Sequence, residues 1–313
     1  MSVWLPSAPC TPGACLERTG SVTAVPRAVL RLLAVTAVLL VGIALLPVGR
    51  RIPAGLVRWW CRTVVRAAGV RVRMSGATVP TGGVLLVANH ISWLDIPLLA
   101  AVRPARMLAK SEIRGWPAAG WLTARSGALF IDRDRLRALP DTVARIADAL
   151  RGGAAVAVFP EGSTWCGRAQ GRFRRAVFQA ALDAGVPVQP VRLRYRVSGG
   201  GASTAPAFIG DDSLLASVWR VVSARGLVAE VQVTDPVPAG SHADRRTLAV
   251  TAQARAWSED TMDACPAADA WPVVDACPAG DAGPAANLAP SPTPARSRTP
   301  TWSGRLARLR APT

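Results

Sequence analysis

The sequence predicts an α/β fold: a mostly parallel sheet flanked by helices, with membrane-associating helices at its N-terminal end. Short β-branched runs alternate with amphipathic segments from residue 70 onward, which is typical of parallel strands joined by crossover helices. Upstream, residues 32–49 form an uncharged and almost wholly apolar run. These two observations separate the chain into a membrane part and a sheet domain.

The first 49 residues contain two different compositions. Residues 1–26 are rich in Pro, Ser, Thr and Gly without periodicity, which predicts a disordered arm. Residues 32–49 are long enough to cross or deeply enter a bilayer, the alternatives being a buried core helix or a signal peptide. If this helix spans, Arg50 and Arg51 place the rest of the chain in the cytoplasm.

A second helix is predicted at residues 54–68. Arg58, Arg62 and Arg66 recur every four residues on one stripe, and Trp59 and Trp60 lie largely off that stripe. This pattern favours a helix lying in the membrane interface, and the alternative is the solvated face of an ordinary helix. We therefore assign residues 27–73 to membrane-inserted and interfacial helices.

Residues 74–262 are predicted to form the sheet domain and residues 263–313, where Pro, Ala, Asp and Ser dominate, a disordered tail. The helix predicted at 139–151 is closed by Gly152 and Gly153. The predicted strands are 71–74, 83–88, 105–109, 128–131, 154–159, 188–196 and 227–233. The other predicted helices are 96–102, 117–123, 174–183, 212–223 and 242–262.

The charge balance indicates an anionic partner. The formal net charge is +17, and Lys110 is the only lysine. Between Glu17 and Asp95 there is no acidic residue, whereas ten arginines flank or interrupt apolar sequence. This distribution suits membrane lipids better than a nucleic-acid groove, and no zinc finger, RNA-recognition signature or basic zipper is present. Membrane lipids, and no nucleic acid, are the expected partners.

The cysteines do not predict a metal site. None of the six forms a C-x-x-C pair, and only two histidines exist to complete a ligand set. The density is also too low for a disulfide scaffold, which favours a reducing compartment. The six are Cys10, Cys15, Cys61, Cys166, Cys265 and Cys277.

A candidate general base follows the strand at 83–88. The strand ends in Asn89-His90, and Asp95 comes five residues after the histidine. Imidazole titrates near neutral pH, and a neighbouring carboxylate can fix its tautomer and support the cation that forms. Alternatively, Ser92 and Asp95 form a capping box. Pro97 argues instead for a helix that begins at or near Asp95.

Four motifs in order resemble the glycerolipid acyltransferases, the family of 1-acyl-sn-glycerol-3-phosphate acyltransferases. Asn89-His90-x-x-x-x-Asp95 is similar to the first motif of that family. The other three lie at 127–133, 159–164 and 186–191. Together they span about a hundred residues, and the resemblance covers roughly residues 30–260. It implies a glycerolipid acyltransferase-like sheet and direct attack of an acceptor hydroxyl on a thioester.

The resemblance assigns roles residue by residue. His90 is the implied base and Asp95 its orienting group, while Arg133, Glu161, Gly162, Ser163 and Lys110 are the implied acceptor-binding residues. From the residues alone, Arg133 could form a surface ion pair, Glu161 a surface turn and Lys110 a solvated side chain. The implied acyl donor is acyl-CoA or acyl-carrier protein, with no further cofactor and no metal.

The sequence gives no sign of a covalent acyl-enzyme. Residues 162–167 do not form a G-x-S-x-G elbow. Cys166 could be a nucleophile, but a small buried apolar role is the commoner use of such a cysteine.

One position departs from the family pattern. Many lysophosphatidate-forming relatives carry arginine where this chain has Thr164, although Arg168, Arg172, Arg174 and Arg175 follow. Thr164, together with Trp93 in the first motif, resembles the lyso-ornithine lipid acyltransferase branch. The expected acceptor is 1-acyl-sn-glycerol 3-phosphate, and the alternative is lyso-ornithine lipid or another lysolipid. A non-catalytic lipid-binding protein is the alternative from a different class. The expected location is the cell membrane, with the catalytic domain on the cytoplasmic side.

Overall fold

The structure, a computed structural model, describes residues 8–17, 24–45, 52–115, 120, 123, 125–132 and 135–257. Its strands are β1 (Arg71–Gly76), β2 (Val84–Ala88), β3 (Arg106–Lys110), β4 (Leu129–Ile131), β5 (Ala155–Val158), β6 (Val188–Val197) and β7 (Leu227–Val233). Its helices are α1 (Pro12–Cys15), α2 (Val25–Leu45), α3 (Ala54–Ala67), α4 (Asp95–Val102), α5 (Leu139–Arg151), α6 (Ala176–Ala184), α7 (Leu214–Ser223) and α8 (Arg245–Ala256).

The seven strands form one mixed sheet in the order β1-β7-β6-β2-β5-β3-β4. All neighbouring pairs are parallel except β6 with β7, which confirms the mostly parallel sheet. β2 lies at the centre between β5 and β6, and all five of its residues are buried. A strand buried on both faces reads as a continuous apolar run, which is why β2 was recognisable in the sequence.

Two apolar layers cover the faces of this sheet. Leu86 and Ala88 of β2 point to the layer that contains α3, α4 and α7, and Leu85 and Val87 point to the layer that contains α5, α6 and α8. This alternation follows from the two-residue period of a strand. Because both faces are covered, the polar loops are left to collect at the ends of the strands, where a site can form.

Several predicted boundaries need correction. The sheet domain begins at residue 71 and not at 74, because all six residues of β1 pair with β7. The last helix begins at Arg245 and not at 242, because the Asp244 side chain accepts the backbone amides of Arg246 and Thr247 as an N-cap. The predicted helix at 117–123 falls mostly, and the predicted tail at 263–313 entirely, outside the described residues.

The prediction of a disordered arm over residues 1–26 is wrong for residues 8–17 and 24–26. Cys10 and Cys15 are buried against the domain. Glu17 is bonded to the loop beyond β6: its backbone amide donates to Thr204 Oγ1 at 3.1 Å, and its carboxylate accepts the Ser203 hydroxyl at 3.0 Å. Composition fails here because these partners are nearly 190 residues away in sequence.

Helices α2 and α3 form an antiparallel pair. Near the start of α2, Arg31 lies beside Gly69, which follows α3. Further along α2, Val38 accepts the indole N–H of Trp60 at 3.0 Å. Arg31 also donates to the backbone oxygens of Val222 and Ala224 at the end of α7, at 3.0 and 2.6 Å. The start of α2 and the end of α3 therefore both lie at the sheet domain.

Helix α2 has the character of a membrane helix. It is 21 residues long, its mean hydropathy reaches 2.5, and only 11% of its apolar window is buried inside the protein. It begins seven residues before the predicted 32–49 segment, and residues 46–51 lie outside the described residues. Helix α3 lies where it was predicted and ends one residue earlier, at Ala67, with Arg58 and Arg66 exposed and Arg62 contacting the sulfur of Met74 at 3.0 Å. Its location in a membrane interface stays a prediction.

Candidate active site

The loop between β2 and α4 presents His90 at the carboxyl end of the central strand. Helix α4 begins at Asp95, as Pro97 predicted, because a proline is tolerated only in the first turn. Asn89 anchors the start of the loop: its side-chain amide donates to the Leu193 oxygen at 2.9 Å and accepts the Leu193 amide at 2.8 Å. The backbone just before His90 is therefore fixed to the neighbouring strand β6.

His90 and Asp95 are paired. The Nδ1 atom of His90 lies 2.9 Å from Oδ2 of Asp95, which is wholly buried. An ionised carboxylate can only accept, so Nδ1 carries the proton and Nε2 keeps a lone pair. The imidazole side chain is 20% exposed. This is the arrangement that a general base requires.

Four hydrogen bonds hold the Asp95 carboxylate. Besides His90, its Oδ2 accepts the backbone amides of Ile91 and Ser92 at 2.6 and 2.8 Å. Its Oδ1 accepts the hydroxyl of Tyr195, on β6, at 2.6 Å. Burial raises the pKa of Tyr195 well above its usual value, so the phenol stays protonated as a donor. Sequence reasoning missed Tyr195, although a buried strand that carries the only tyrosine of the chain was a usable signal.

The Glu161 carboxylate accepts backbone amides near His90 and so fixes the backbone there. Its Oε2 accepts the His90 amide at 2.7 Å and its Oε1 accepts the Gly171 amide at 3.2 Å. Burial raises the pKa of this carboxyl well above its ordinary value, whereas the two amide donors oppose that shift. Glu161 is 3% exposed and does not line the cavity described below, so its observed contacts are those of a positioning residue.

The imidazole ring is oriented by stacking as well as by its hydrogen bond. The rings of His90 and Phe159 lie 3.9 Å apart with an interplanar angle of 9°. The His90 oxygen also accepts the Trp165 amide at 2.8 Å. Backbone and ring are thus both fixed, and little reorganisation is needed before a proton is transferred.

A large apolar cavity of about 1870 Å³ opens at His90. One wall comes from α2 and α3, including Leu39, Trp59 and Trp60, and the opposite wall comes from the sheet domain. Its volume exceeds that of most small-molecule pockets, and its apolar lining suits alkyl chains. The cavity therefore connects the candidate base with the surface formed by α2 and α3.

The other predicted site residues have different positions. Lys110 and Gly162 line the cavity, and Lys110 forms an ion pair with Glu112 that lowers the pKa of that carboxyl. Ser163 does not line it, and within the described part of the chain its buried hydroxyl has no hydrogen-bond partner. Arg133 lies outside the described residues. The Thr164 hydroxyl donates to the Phe208 oxygen and does not face the cavity.

Arginines supply most of the positive charge of the cavity. Arg172, Arg174 and Arg175 follow the Glu161 turn, are exposed, and line the cavity that holds His90. The sequence indicated them only as possible compensation for Thr164. Arg125 and Arg246 line it too. Guanidinium groups bind phosphate and carboxylate in a bidentate manner, so an anionic headgroup can be held at this wall.

Cys166 does not face the reaction site. It is 1% exposed and absent from the cavity wall. Hydrogen bonds from the Cys10 thiol, and from the backbone amides of Ala169 and Arg168, lower the pKa of Cys166 to about 5 against the opposing effect of burial. A thiolate enclosed in this way has no access to a substrate in the cavity.

Comparison with known proteins identifies the class. The family model of the acyltransferases matches residues 71–194, a range that contains His90, Asp95 and the Glu161 turn. The lyso-ornithine lipid O-acyltransferase of Pseudomonas aeruginosa is 41% identical over 200 residues, which are 63% of this chain and 75% of that protein. The chain belongs to the acyltransferase family, as the four motifs predicted.

Two further proteins, one compared by sequence and one by structure, are also similar to this chain. The 1-acyl-sn-glycerol-3-phosphate acyltransferase of Neisseria meningitidis is 37% identical over 166 residues, covering 53% of this chain and 65% of that protein. The crystal structure of a 1-acyl-sn-glycerophosphate acyltransferase from Thermotoga maritima has the same fold, with a TM-score of 0.53 at 18% identity. The structural match covers 72% of this chain and 93% of the Thermotoga maritima chain. The enzyme class, an O-acyltransferase, is therefore the one expected from the sequence.

Proposed function

We propose that this acyltransferase moves a fatty acyl chain from acyl-CoA or acyl-carrier protein to the free hydroxyl of a lysolipid, with His90 as the general base. The observation that carries this proposal is the buried Asp95 carboxylate, 2.9 Å from His90 Nδ1, at a cavity of about 1870 Å³. The pair supplies the base, and the volume and apolar lining of the cavity suit long alkyl chains.

The reaction needs one proton acceptor and no covalent enzyme intermediate. Nε2 of His90 takes the hydroxyl proton of the acceptor while the oxygen bonds to the thioester carbonyl carbon. The carbon–sulfur bond then breaks, and the imidazolium returns the proton to the leaving thiolate. Asp95 stabilises the imidazolium between these two steps.

The first candidate acceptor is 1-acyl-sn-glycerol 3-phosphate, with phosphatidic acid as the product. The support for it is the group of Arg172, Arg174 and Arg175 on the wall that also contains Pro160 and Gly162, beside the Glu161 turn. The backbone of this segment is fixed, since the Arg174 amide donates to the Pro160 oxygen at 2.9 Å. A phosphate monoester carries up to two negative charges and suits several guanidinium groups.

Replacing Arg172 and Arg174 together with glutamine should raise the acceptor KM and leave the donor KM nearly unchanged. Each lost charge-assisted bond is worth about 1.5–3 kcal/mol, roughly ten- to a hundredfold in KM, so the loss of two should raise the acceptor KM by at least about a hundredfold. The measurement is steady-state kinetics in mixed micelles with each substrate varied in turn. Arg151→Gln is the matched control, because Arg151 is paired with Asp148 at the end of α5 and does not line the cavity. An unchanged acceptor KM in the double variant would contradict this role.

The second candidate acceptor is lyso-ornithine lipid. It is favoured by the 41% identity to the Pseudomonas aeruginosa enzyme of that name. The identity of residue 164, which in the sequence resembled the lyso-ornithine lipid branch, does not distinguish the two acceptors here. Its hydroxyl bonds to the Phe208 oxygen and does not face the cavity. The headgroup preference must therefore be measured directly.

The experiment that tests the function offers purified protein a panel of lysolipids with each donor, read by mass spectrometry. We expect the diacylated product from 1-acyl-sn-glycerol 3-phosphate to form fastest. A higher kcat/KM for lyso-ornithine lipid would promote the second candidate. Tight binding of lysolipid without transfer from either donor would favour a non-catalytic lipid-binding protein.

We further propose that the α2–α3 pair enters one membrane leaflet and returns, with the catalytic domain on the cytoplasmic side. Exposed apolar side chains of α2, such as Leu33 and Leu40, at 63% and 60%, would contact acyl chains. Arg58 and Arg66 of α3 would contact anionic headgroups. The start of α2 and the end of α3 both lie at the sheet domain, which supports entry and return over a single crossing.

This arrangement predicts that both ends of the helical pair face the same side. An epitope placed before Met1 and a cysteine at the exposed position 241 (Ser241→Cys) should both be protected from impermeant reagents in intact cells. Both should react in inside-out membrane vesicles. A secreted marker protein and a cytoplasmic one calibrate the two preparations. Opposite sidedness of the two positions would indicate a spanning helix, and labelling of both in intact cells would contradict the cytoplasmic assignment.

A further inference from the structure

Three cysteines from two distant segments converge in the structure. Cys10 and Cys15 come from the N-terminal segment, and Cys166 lies in the loop after β5. Their sulfur atoms all lie within 4.8 Å of one another. The three residues are 5%, 8% and 1% exposed. No local sequence pattern links these thiols, because more than 150 positions separate Cys166 from the other two.

The N-terminal segment is held where this convergence requires it. Glu17 is bonded to Thr204 and Ser203 beyond the cluster. At the other end, Gly210 lies so close that a Cβ atom there would be 3.2 Å from Pro12 and 3.3 Å from the Cys10 oxygen. The left-handed φ of +59° at Gly210 and this close approach both favour glycine. The thiols are therefore brought together by specific contacts of the backbone.

We propose that Cys10, Cys15 and Cys166 form a three-thiolate site for a divalent cation that favours sulfur ligands, Zn²⁺, and that this ion fastens the N-terminal segment to the loop after β5. Sulfurs bound at about 2.3 Å to one tetrahedral ion lie roughly 3.8 Å apart, so each sulfur needs to move by less than about 1 Å. The three sulfurs bind the ion as thiolates, and any proton that a ligating thiol still carries passes to solvent when the ion binds. A water molecule would complete the tetrahedron.

The number of thiols favours a metal over a disulfide. A disulfide joins two sulfurs at about 2.0 Å and would leave the third converging thiol without a role. Thiolate ligands select zinc over the hard cations calcium and magnesium. The backbone amides of Arg168 and Ala169 donate to the Cys166 sulfur, which is a common way of supporting a metal-bound thiolate.

The site would act on catalysis through its neighbour in the chain. Trp165, next to Cys166, donates its backbone amide to the His90 oxygen at 2.8 Å. A metal at the cluster would hold this loop, and with it the backbone of His90, in one position. Cys166 is then a positioning residue, and removal of the metal should lower kcat and the Tm together.

The test uses the full chain in detergent, with Cys265→Ser and Cys277→Ser in the background because both tail cysteines lie outside the described residues. Elemental analysis should find about one zinc ion per chain, as a three-thiolate site requires. Cys10→Ser or Cys166→Ser should remove it, whereas Cys61→Ser should not. Cys61 is the matched control, because it is a buried thiol in α3 that does not belong to the cluster.

A second measurement needs no substitution in the cluster. Chelation of the same protein should raise the rate at which Cys10, Cys15 and Cys166 react with N-ethylmaleimide and leave the rate at Cys61 unchanged. Added Co²⁺ should produce a thiolate-to-cobalt charge-transfer band. The proposal is overturned if the protein binds neither ion, if chelation leaves all four rates unchanged, or if unreduced peptides show a disulfide within the cluster.

Discussion

Replacing His90 by alanine is expected to abolish acyl transfer while leaving the fold intact. The variant loses the imidazole that lines the cavity and whose free Nε2 can take the acceptor proton, so kcat should fall by about 10⁴-fold, the upper end of what a general base contributes. The fold should survive, because the bonds from His90 to Glu161 and Trp165 use backbone atoms that alanine retains. Mass spectrometry of the product measures the activity, and a thermal unfolding curve shows whether the fold is retained.

The second histidine is the matched control for this prediction. His242 contacts Ser241 and Thr251 and does not line the cavity, so His242→Ala should keep nearly normal activity. A folded His90→Ala protein that turns over at the normal rate would remove the mechanism proposed here. It would leave the family assignment untouched, since that rests on the sequence comparisons.

Replacing Asp95 by asparagine is expected to lower kcat by orders of magnitude, although by less than the loss of His90. The asparagine oxygen can still accept the Nδ1 proton and the amides of Ile91 and Ser92, and its NH₂ group can donate to the Tyr195 oxygen. The fold should therefore be retained. The loss comes from the missing negative charge, which no longer stabilises the imidazolium formed during proton transfer.

The kinetic pattern separates this charge effect from a structural one. In Asp95→Asn the acceptor KM should stay close to the wild-type value, because the cavity wall is unchanged. Tyr195→Phe removes one of the four hydrogen bonds and keeps the carboxylate charge, so its loss of kcat should be much smaller. Equal losses in the two variants would mean that the geometry of the loop, and not the charge of Asp95, is decisive.

Short-range patterns predicted most of the secondary structure. The helix at residues 139–151 and the strand at residues 227–233 match the structure at both ends. Each has a clear local signal: an amphipathic repeat closed by two glycines, or a β-branched run between turns. The larger errors occurred at termini that depend on caps, such as Asp244, and in the N-terminal segment.

In the candidate site, too, contacts between residues close in sequence were predictable and contacts between distant residues were not. His90 and Asp95 lie five positions apart, within reach of a local motif, and the structure brings them together. The contact of Glu161 with the His90 amide spans 71 positions, and the bond of Tyr195 to Asp95 spans 100. Only the order β6-β2-β5 in the sheet places these residues beside the histidine.

By itself the sequence determined the fold class, the family and the candidate catalytic pair, because strands, helices and motifs depend on neighbours within a few residues. The tertiary structure decided what depends on distant neighbours. It seats residues 8–17 on the domain and returns α3 to the point where α2 begins. It also collects Cys10, Cys15 and Cys166 into one cluster. Burial and long-range contacts control these features, and they arise only when the whole chain has packed around its sheet.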